Sequence, residues 1–150
     1  MPADGRPQVR PPEGVDAPSG RTAEVLAAAA RLLAAFSAGR TEDYFACFAP
    51  EATFIFHSLP NRIASTAEYM TLWAQWVREI DLRVLGCASS DQTVDFITED
   101  AALFTHSVDV RVQTRLGMEE RHERESIVYV RQTNGTWLAV HEHLSRAPTP

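Results

Sequence analysis

Glu142, His106 and His57 are the side chains in this sequence best placed by type and spacing to move protons. Glu142 falls in the run Leu138, Val140, Glu142, Leu144, whose alternate positions share one face of a strand. A carboxyl on an otherwise apolar face loses hydration, which raises its pKa toward the range useful for general acid or base work. His106 sits at the same parity among Phe104, Val108 and Val110, and imidazole can donate or accept a proton near neutrality. His57 ends the short apolar run Thr53–His57 and could act as a base there. Each has a plainer role open to it: a rim carboxylate or arginine partner for Glu142, a satisfied core histidine for His106, a turn residue for His57. A second set consists of His141, His143, Arg124 and Ser145, which would replace the first if the last strand were shifted by one residue, since such a slip exchanges the two faces. The H-x-H pair could chelate a metal with a third ligand such as Asp109, but that spacing is common, and no metal is expected.

Three helices must position these groups. Val25, Ala29, Leu32 and Phe36 recur on one face between Thr22, an N-cap, and Gly39 at the C′ position. Thr41 caps a shorter helix carrying Tyr44, Phe45 and Phe48, stopped by Pro50. Ser65 with Glu68 forms a capping box ahead of Tyr69, Leu72, Trp73, Trp76 and Ile80. This stripe is chiefly core, yet it must wall any pocket beneath it, where Tyr69 and Trp73 could stack on and hydrogen-bond a ligand. Phe56, Val108 and Tyr129 complete the expected substrate-binding set.

Strands follow near residues 82–97, 101–113, 119–132 and 136–145, broken at Glu99-Asp100, Leu116-Gly117 and Asn134-Gly135. Asn134-Gly135 suits a type I′ turn with both central residues at positive φ. Pairing Thr133 with Thr136 then sets Val128 opposite His141, Ser126 opposite His143 and Arg124 opposite Ser145. The other face carries Glu125, Ile127 and Tyr129 with Leu138, Val140, Glu142 and Leu144, and is assigned to the side under the helices. The charge run Glu119–Glu125 is read as a solvated edge or an intersubunit surface. Residues 1–20, with five prolines, read as a disordered leader, 21–146 as one domain and 147–150 as a disordered tail.

Composition excludes several classes. The net charge is −6 and the 14 basic residues are all arginines, scattered along the chain, which argues against a nucleic-acid or anionic-membrane partner. No run approaches the roughly 18 apolar residues of a membrane span, so a cytoplasmic protein is the default. Cys47 and Cys87 stand in apolar surroundings and read as buried thiols rather than a disulfide.

The closing run RESIVYVRQTNGTWLAVHEHLS, with Gly135, Trp137, His141, His143 and Ser145, resembles the end of SnoaL-like proteins of the nuclear transport factor 2-like superfamily. It is similar also to the association domain of calcium/calmodulin-dependent kinase II, and the likeness spans residues 22–145. The resemblance implies a cone-shaped α+β barrel, three N-terminal helices packed on a curved antiparallel sheet, with a conical pocket and frequent homodimers. Ketosteroid isomerase, scytalone dehydratase, limonene epoxide hydrolase and polyketide cyclases share this superfamily with non-catalytic modules. In isomerase and cyclase relatives an aspartate often ends the first strand as the base, whereas Phe56 and His57 stand there here.

The resulting expectation is cofactor-independent acid/base chemistry, a cyclase, dehydratase or isomerase, on an apolar, polyketide-like or aromatic molecule in secondary metabolism. Glu142 or His57 would remove a proton, and His106 or Tyr129 would donate a hydrogen bond to the oxygen where charge develops. The alternatives are a non-catalytic ligand-binding or oligomerisation module and an iota-type carbonic anhydrase, whose histidine-rich ending Glu142 and Leu144 interrupt here.

Overall fold

Ser19 starts the first helix, its Oγ accepting from the Thr22 N–H at 3.1 Å, one turn earlier than the Thr22 cap expected from sequence. The computed structural model describes residues 19–148, so the expected leader lies almost wholly outside the described residues, as do residues 149 and 150 of the tail. Helix α1 (Gly20–Ser37) buries Val25, Ala28, Ala29 and Leu32 and ends before Gly39, whose φ of 69° fits the left-handed position that closes a helix. Helix α2 (Thr41–Phe45) begins at Thr41 itself, with Arg40 as N-cap and no side-chain cap. Ser65 caps α3 (Thr66–Ile80) as expected, its Oγ accepting from the Glu68 N–H, while the Glu68 carboxylate accepts from the Ala64 N–H.

Strand β1 (Phe48–Phe56) starts well before the expected Thr53 and runs through Pro50. Proline is tolerated because β1 is an edge strand and its pairing is irregular between Phe48 and Thr53. After α3 come β2 (Arg83–Thr98), β3 (Ala101–Thr114), β4 (Gly117–Arg131) and β5 (Trp137–Arg146). The sheet order is β1-β5-β4-β3-β2, antiparallel throughout except where β1 pairs parallel with β5. The helices lie over one face, and irregular pairing in β2 and β5 bends the sheet beneath them, as bulges do.

Strand β3 keeps the expected parity: Ala102, Phe104, His106, Val108, Val110 and Val112 are all buried. The turn before β5 does not. Only Gly135 has a positive φ, and the Gln132 N–H bonds the Thr136 carbonyl, so Arg131 pairs with Trp137. Val140 is the extra residue that restores the expected pairing from Val128 and His141 onward. Trp137 and Ala139 consequently face the core, while Leu138 and Val140, expected inside, are half-exposed; Glu142 stays inside. At its far end β5 reaches Arg146, and the Ala147 N–H bonds the His122 carbonyl, so ordered pairing extends into the segment read as tail.

Candidate active site

Between α1, α3 and the inner sheet face lies a cavity of about 270 Å³. Its walls are aromatic and aliphatic: Phe36 from α1, Tyr44 from α2, Phe56 from β1, Tyr69, Trp73 and Trp76 from α3, and Val108 from β3. Trp73 packs against Phe36, Tyr44, Tyr69 and Trp76 with ring centroids 6.1–6.2 Å apart, which fixes the wall. Tyr69, Trp73, Phe56 and Val108 therefore stand where a ligand would touch them.

Three carboxyls reach this apolar space: Glu123 and Glu125 from β4 and Glu142 from β5, all buried. The charge run is thus not a solvated edge at its C-terminal end. Alternation sends Glu120, His122 and Arg124 outward, and turns Glu123 and Glu125 under the helices. Glu142 and Glu125 are diagonal neighbours across β4 and β5 and share a hydrogen bond. Burial, then the negative charge of Glu125, raises the Glu142 pKa well above the ordinary 4.5, with Glu123 adding to it. A carboxyl raised in this way keeps its proton to a higher pH than an exposed one does. Glu142 lines the cavity with its Oε2 lacking any hydrogen-bond partner.

Each remaining glutamate is held by a histidine. His106 lies behind Glu125 rather than on the cavity wall: its Nε2 is 2.8 Å from Glu125 Oε1 and its Nδ1 is 2.7 Å from Ser89 Oγ. Both ring nitrogens are occupied and the side chain is fully buried, so His106 meets a ligand only through Glu125. His57 Nε2 is 2.6 Å from Glu123 Oε2, with a quarter of the imidazole exposed, in a separate cleft that His122 and Arg146 also line. Gln92 donates to Ser89 Oγ at 2.9 Å, extending the chain Glu142, Glu125, His106, Ser89 to the edge of the sheet.

Tyr44 and Tyr69 meet hydroxyl to hydroxyl at 3.0 Å on the wall facing Glu142. Burial and the nearby Glu142 charge push both phenols well above 10, so each keeps its proton. Tyr69 was expected here, and Glu125 was expected on this face of β4 without a role at the site; Tyr44 and Glu123 were not expected here. Tyr129 is fully buried away from the cavity, and its hydroxyl has no partner. An unsatisfied buried hydroxyl costs about 1–3 kcal/mol. Tyr129→Phe should therefore raise Tm by a few degrees and leave ligand binding alone; a loss of stability on thermal melting would show that the hydroxyl is satisfied.

His143, Arg124 and Ser145 line a cleft on the opposite face of the sheet. His141 bonds Thr53 Oγ1 at 2.8 Å through Nδ1, and burial with the nearby His143 lowers its pKa. The two rings are 6.3 Å apart, and Asp109 pairs with His122 at 2.6 Å instead of joining them. Cys47 and Cys87 are free and half-buried, less enclosed than expected. Among the described residues no helix is long and apolar enough to cross a membrane.

A helical lid over a bent sheet, closing on an apolar cavity with acidic groups at its floor, defines a nuclear transport factor 2-like, or cystatin-like, pocket protein. Residues 25–150 match the SnoaL-like domain, and the chain belongs to that family. The fold is similar to that of a nuclear transport factor 2-like protein of unknown function in nutrient uptake from Rhodospirillum rubrum, at 17% identity over 83% of this chain and 98% of that one, with a TM-score of 0.72. A putative calcium/calmodulin-dependent protein kinase II association domain from Xanthomonas campestris is 19% identical over 88% and 91% of the two chains, with a TM-score of 0.71. A ketosteroid isomerase-like protein from Erwinia carotovora is 13% identical over 87% and 99%, with a TM-score of 0.72. No curated protein matches the sequence.

Proposed function

We propose that this protein is a cofactor-independent acid/base enzyme, a cyclase, dehydratase or isomerase, acting on a small apolar or aromatic molecule bound in the cavity. The observation that carries the reading is the Glu125–Glu142 pair, two buried carboxyls side by side on an apolar wall, where burial and the Glu125 charge raise the Glu142 pKa. Such a pair can give a proton to a bound molecule and take one back, because neither charge state is far from the other in energy. His106 orients Glu125 from behind and is a positioning residue. His57 with Glu123 forms a second acid/base couple, with Glu123 on the cavity wall and His57 behind it. In the hydroxyl pair of Tyr44 and Tyr69 one O–H donates to the other oxygen, and the second is left to donate to a ligand.

A non-catalytic module is the rival, supported by the likeness to the association domain. In its oligomerisation form it needs no space for a ligand, which the open cavity speaks against; in its ligand-binding form it needs no buried carboxyl pair, which favours the enzyme. Self-association into a homodimer through the outer sheet face belongs to the same proposal; a monomeric mass by light scattering would remove it. The enzymatic reading is tested by incubating the protein with a panel of cyclic and polyketide-like ketones and alcohols and following isomerisation or water loss by mass spectrometry. Turnover that disappears in both Glu142→Gln and Glu125→Gln supports it, and turnover undiminished in both overturns it.

A further inference from the structure

We infer that the molecule this cavity takes is an organic cation, an apolar or aromatic body carrying a protonated amine. The inference rests on reading the cavity as the ligand site, and adds the sign of the ligand's charge. Glu123, Glu125 and Glu142 supply acidic groups to the wall, against a single cationic side chain, Arg121. Arg121 sits near the mouth, two-fifths exposed, and its Nη2 donates to Glu119 Oε2 at 3.1 Å. His57 and His106 stand behind Glu123 and Glu125, so neither imidazole lines the cavity.

The floor also asks for a donor. Glu142 is 96% buried and lines the cavity, and its Oε2 has no hydrogen-bond partner in the protein. An oxygen in that position accepts; an ammonium N–H is a donor of the right kind and carries charge opposite to the neighbouring carboxylate. A neutral hydroxyl would satisfy the acceptor and gain little from Glu125 and Glu123. An anion would meet carboxylates in a water-poor space, where like charges repel strongly.

The aromatic wall points the same way. Phe36, Tyr44, Tyr69, Trp73 and Trp76 surround the space, and a cation within about 6 Å of such ring centroids is attracted by the negative faces of the rings. Desolvation strengthens that attraction, which ordinary apolar lining by aliphatic residues would not provide. Carboxyls at the floor and rings around the sides together form a receptor for positive charge on an apolar body.

The probes are 2-phenylethylammonium and 2-phenylethanol, nearly equal in size and differing in charge. Titration calorimetry, with Trp73 and Trp76 fluorescence as a second readout, should give the ammonium at least a tenfold advantage. The ratio of the two affinities should fall fivefold or more in Glu123→Gln and in Glu125→Gln, each checked for an intact melting transition. Equal binding, or tighter binding of the alcohol, overturns the cation inference and leaves the cavity as a ligand site. An advantage unchanged in both variants overturns it as well, since the charge would then be read elsewhere. Failure of both probes to bind overturns the inference together with the ligand-site reading on which it stands.

Discussion

Glu142→Gln should lower turnover by about 10²–10⁴ and at the same time stabilise the fold at neutral pH, the two effects having one cause. The glutamine amide can still donate to Glu125, so the geometry at the floor is kept. What disappears is the exchangeable proton. The stability effect follows from linkage. The folded-state pKa of Glu142 is raised well above 4.5 by burial and by Glu125, so the folded chain holds a proton that the unfolded chain releases. The contribution of this site is complete below the unfolded value of about 4.5 and is lost as pH rises through the raised folded value. Between those limits stability falls by up to about 1.4 kcal/mol per pH unit. Glutamine has nothing to release, so that slope vanishes. Melting curves of both proteins from pH 4 to pH 9 should therefore diverge as pH rises, the variant becoming the more stable. Glu125 and Glu123 couple to this titration, which makes the difference between variant and parent the informative quantity, not either curve alone. A difference independent of pH would mean that Glu142 titrates as an exposed carboxylate does. A site destabilised for chemistry is commonly relieved by the substitution that inactivates it.

The second large effect is expected at His106. His106→Leu removes the donor that holds Glu125 and the partner of Ser89 Oγ, leaving a buried carboxylate without its histidine. Removing one member of a buried charged or hydrogen-bonded pair costs about 3–5 kcal/mol, because the surviving group keeps its desolvation penalty. A fall in Tm of roughly 10 °C follows for a chain of this size. Replacing both partners, His106→Leu with Glu125→Leu, should recover part of the loss, since the Glu125 carboxylate is no longer buried without its histidine. Urea denaturation of the parent, both single variants and the double variant gives the coupling between the two positions directly. Additive losses would show that His106 contributes by filling space. The same cycle separates positioning from packing in function: if His106 acts through Glu125, its loss should alter the pH profile of turnover and not merely its height.

Much of this site was readable in the chain because side-chain alternation is a local property of a strand. Phe104, His106, Val108 and Val110 share a face whatever lies above them, and Glu142 is marked by its apolar neighbours of like parity. The capped stripe of Tyr69, Trp73 and Trp76 is readable for the same reason at helical spacing. Parity also placed Glu125 beside Ile127 and Tyr129, yet a run of seven polar and charged residues carries no sign of where burial begins. That limit is set by how far α1 and α3 extend over β4, a distance between elements remote in sequence. The signal that could have found Glu123 was the alternation itself, followed one step beyond Glu125.

Other features exist only in three dimensions. The extra residue at Val140 exchanges inside and outside for half of β5, and nothing in the alternation of Trp137–Val140 announces it, because both parities carry apolar side chains there. Pro50 hid the start of β1, whose parallel pairing with β5 joins the two ends of the domain. Tyr44 gains its role by meeting Tyr69 from another helix. The sequence by itself determined the three helices, the parities of β3 and of the end of β4, and the family likeness, all of which rest on neighbours along the chain. The tertiary structure decided which carboxyls lost their water and which histidine stands behind which glutamate, since desolvation and pairing depend on what the fold brings from elsewhere.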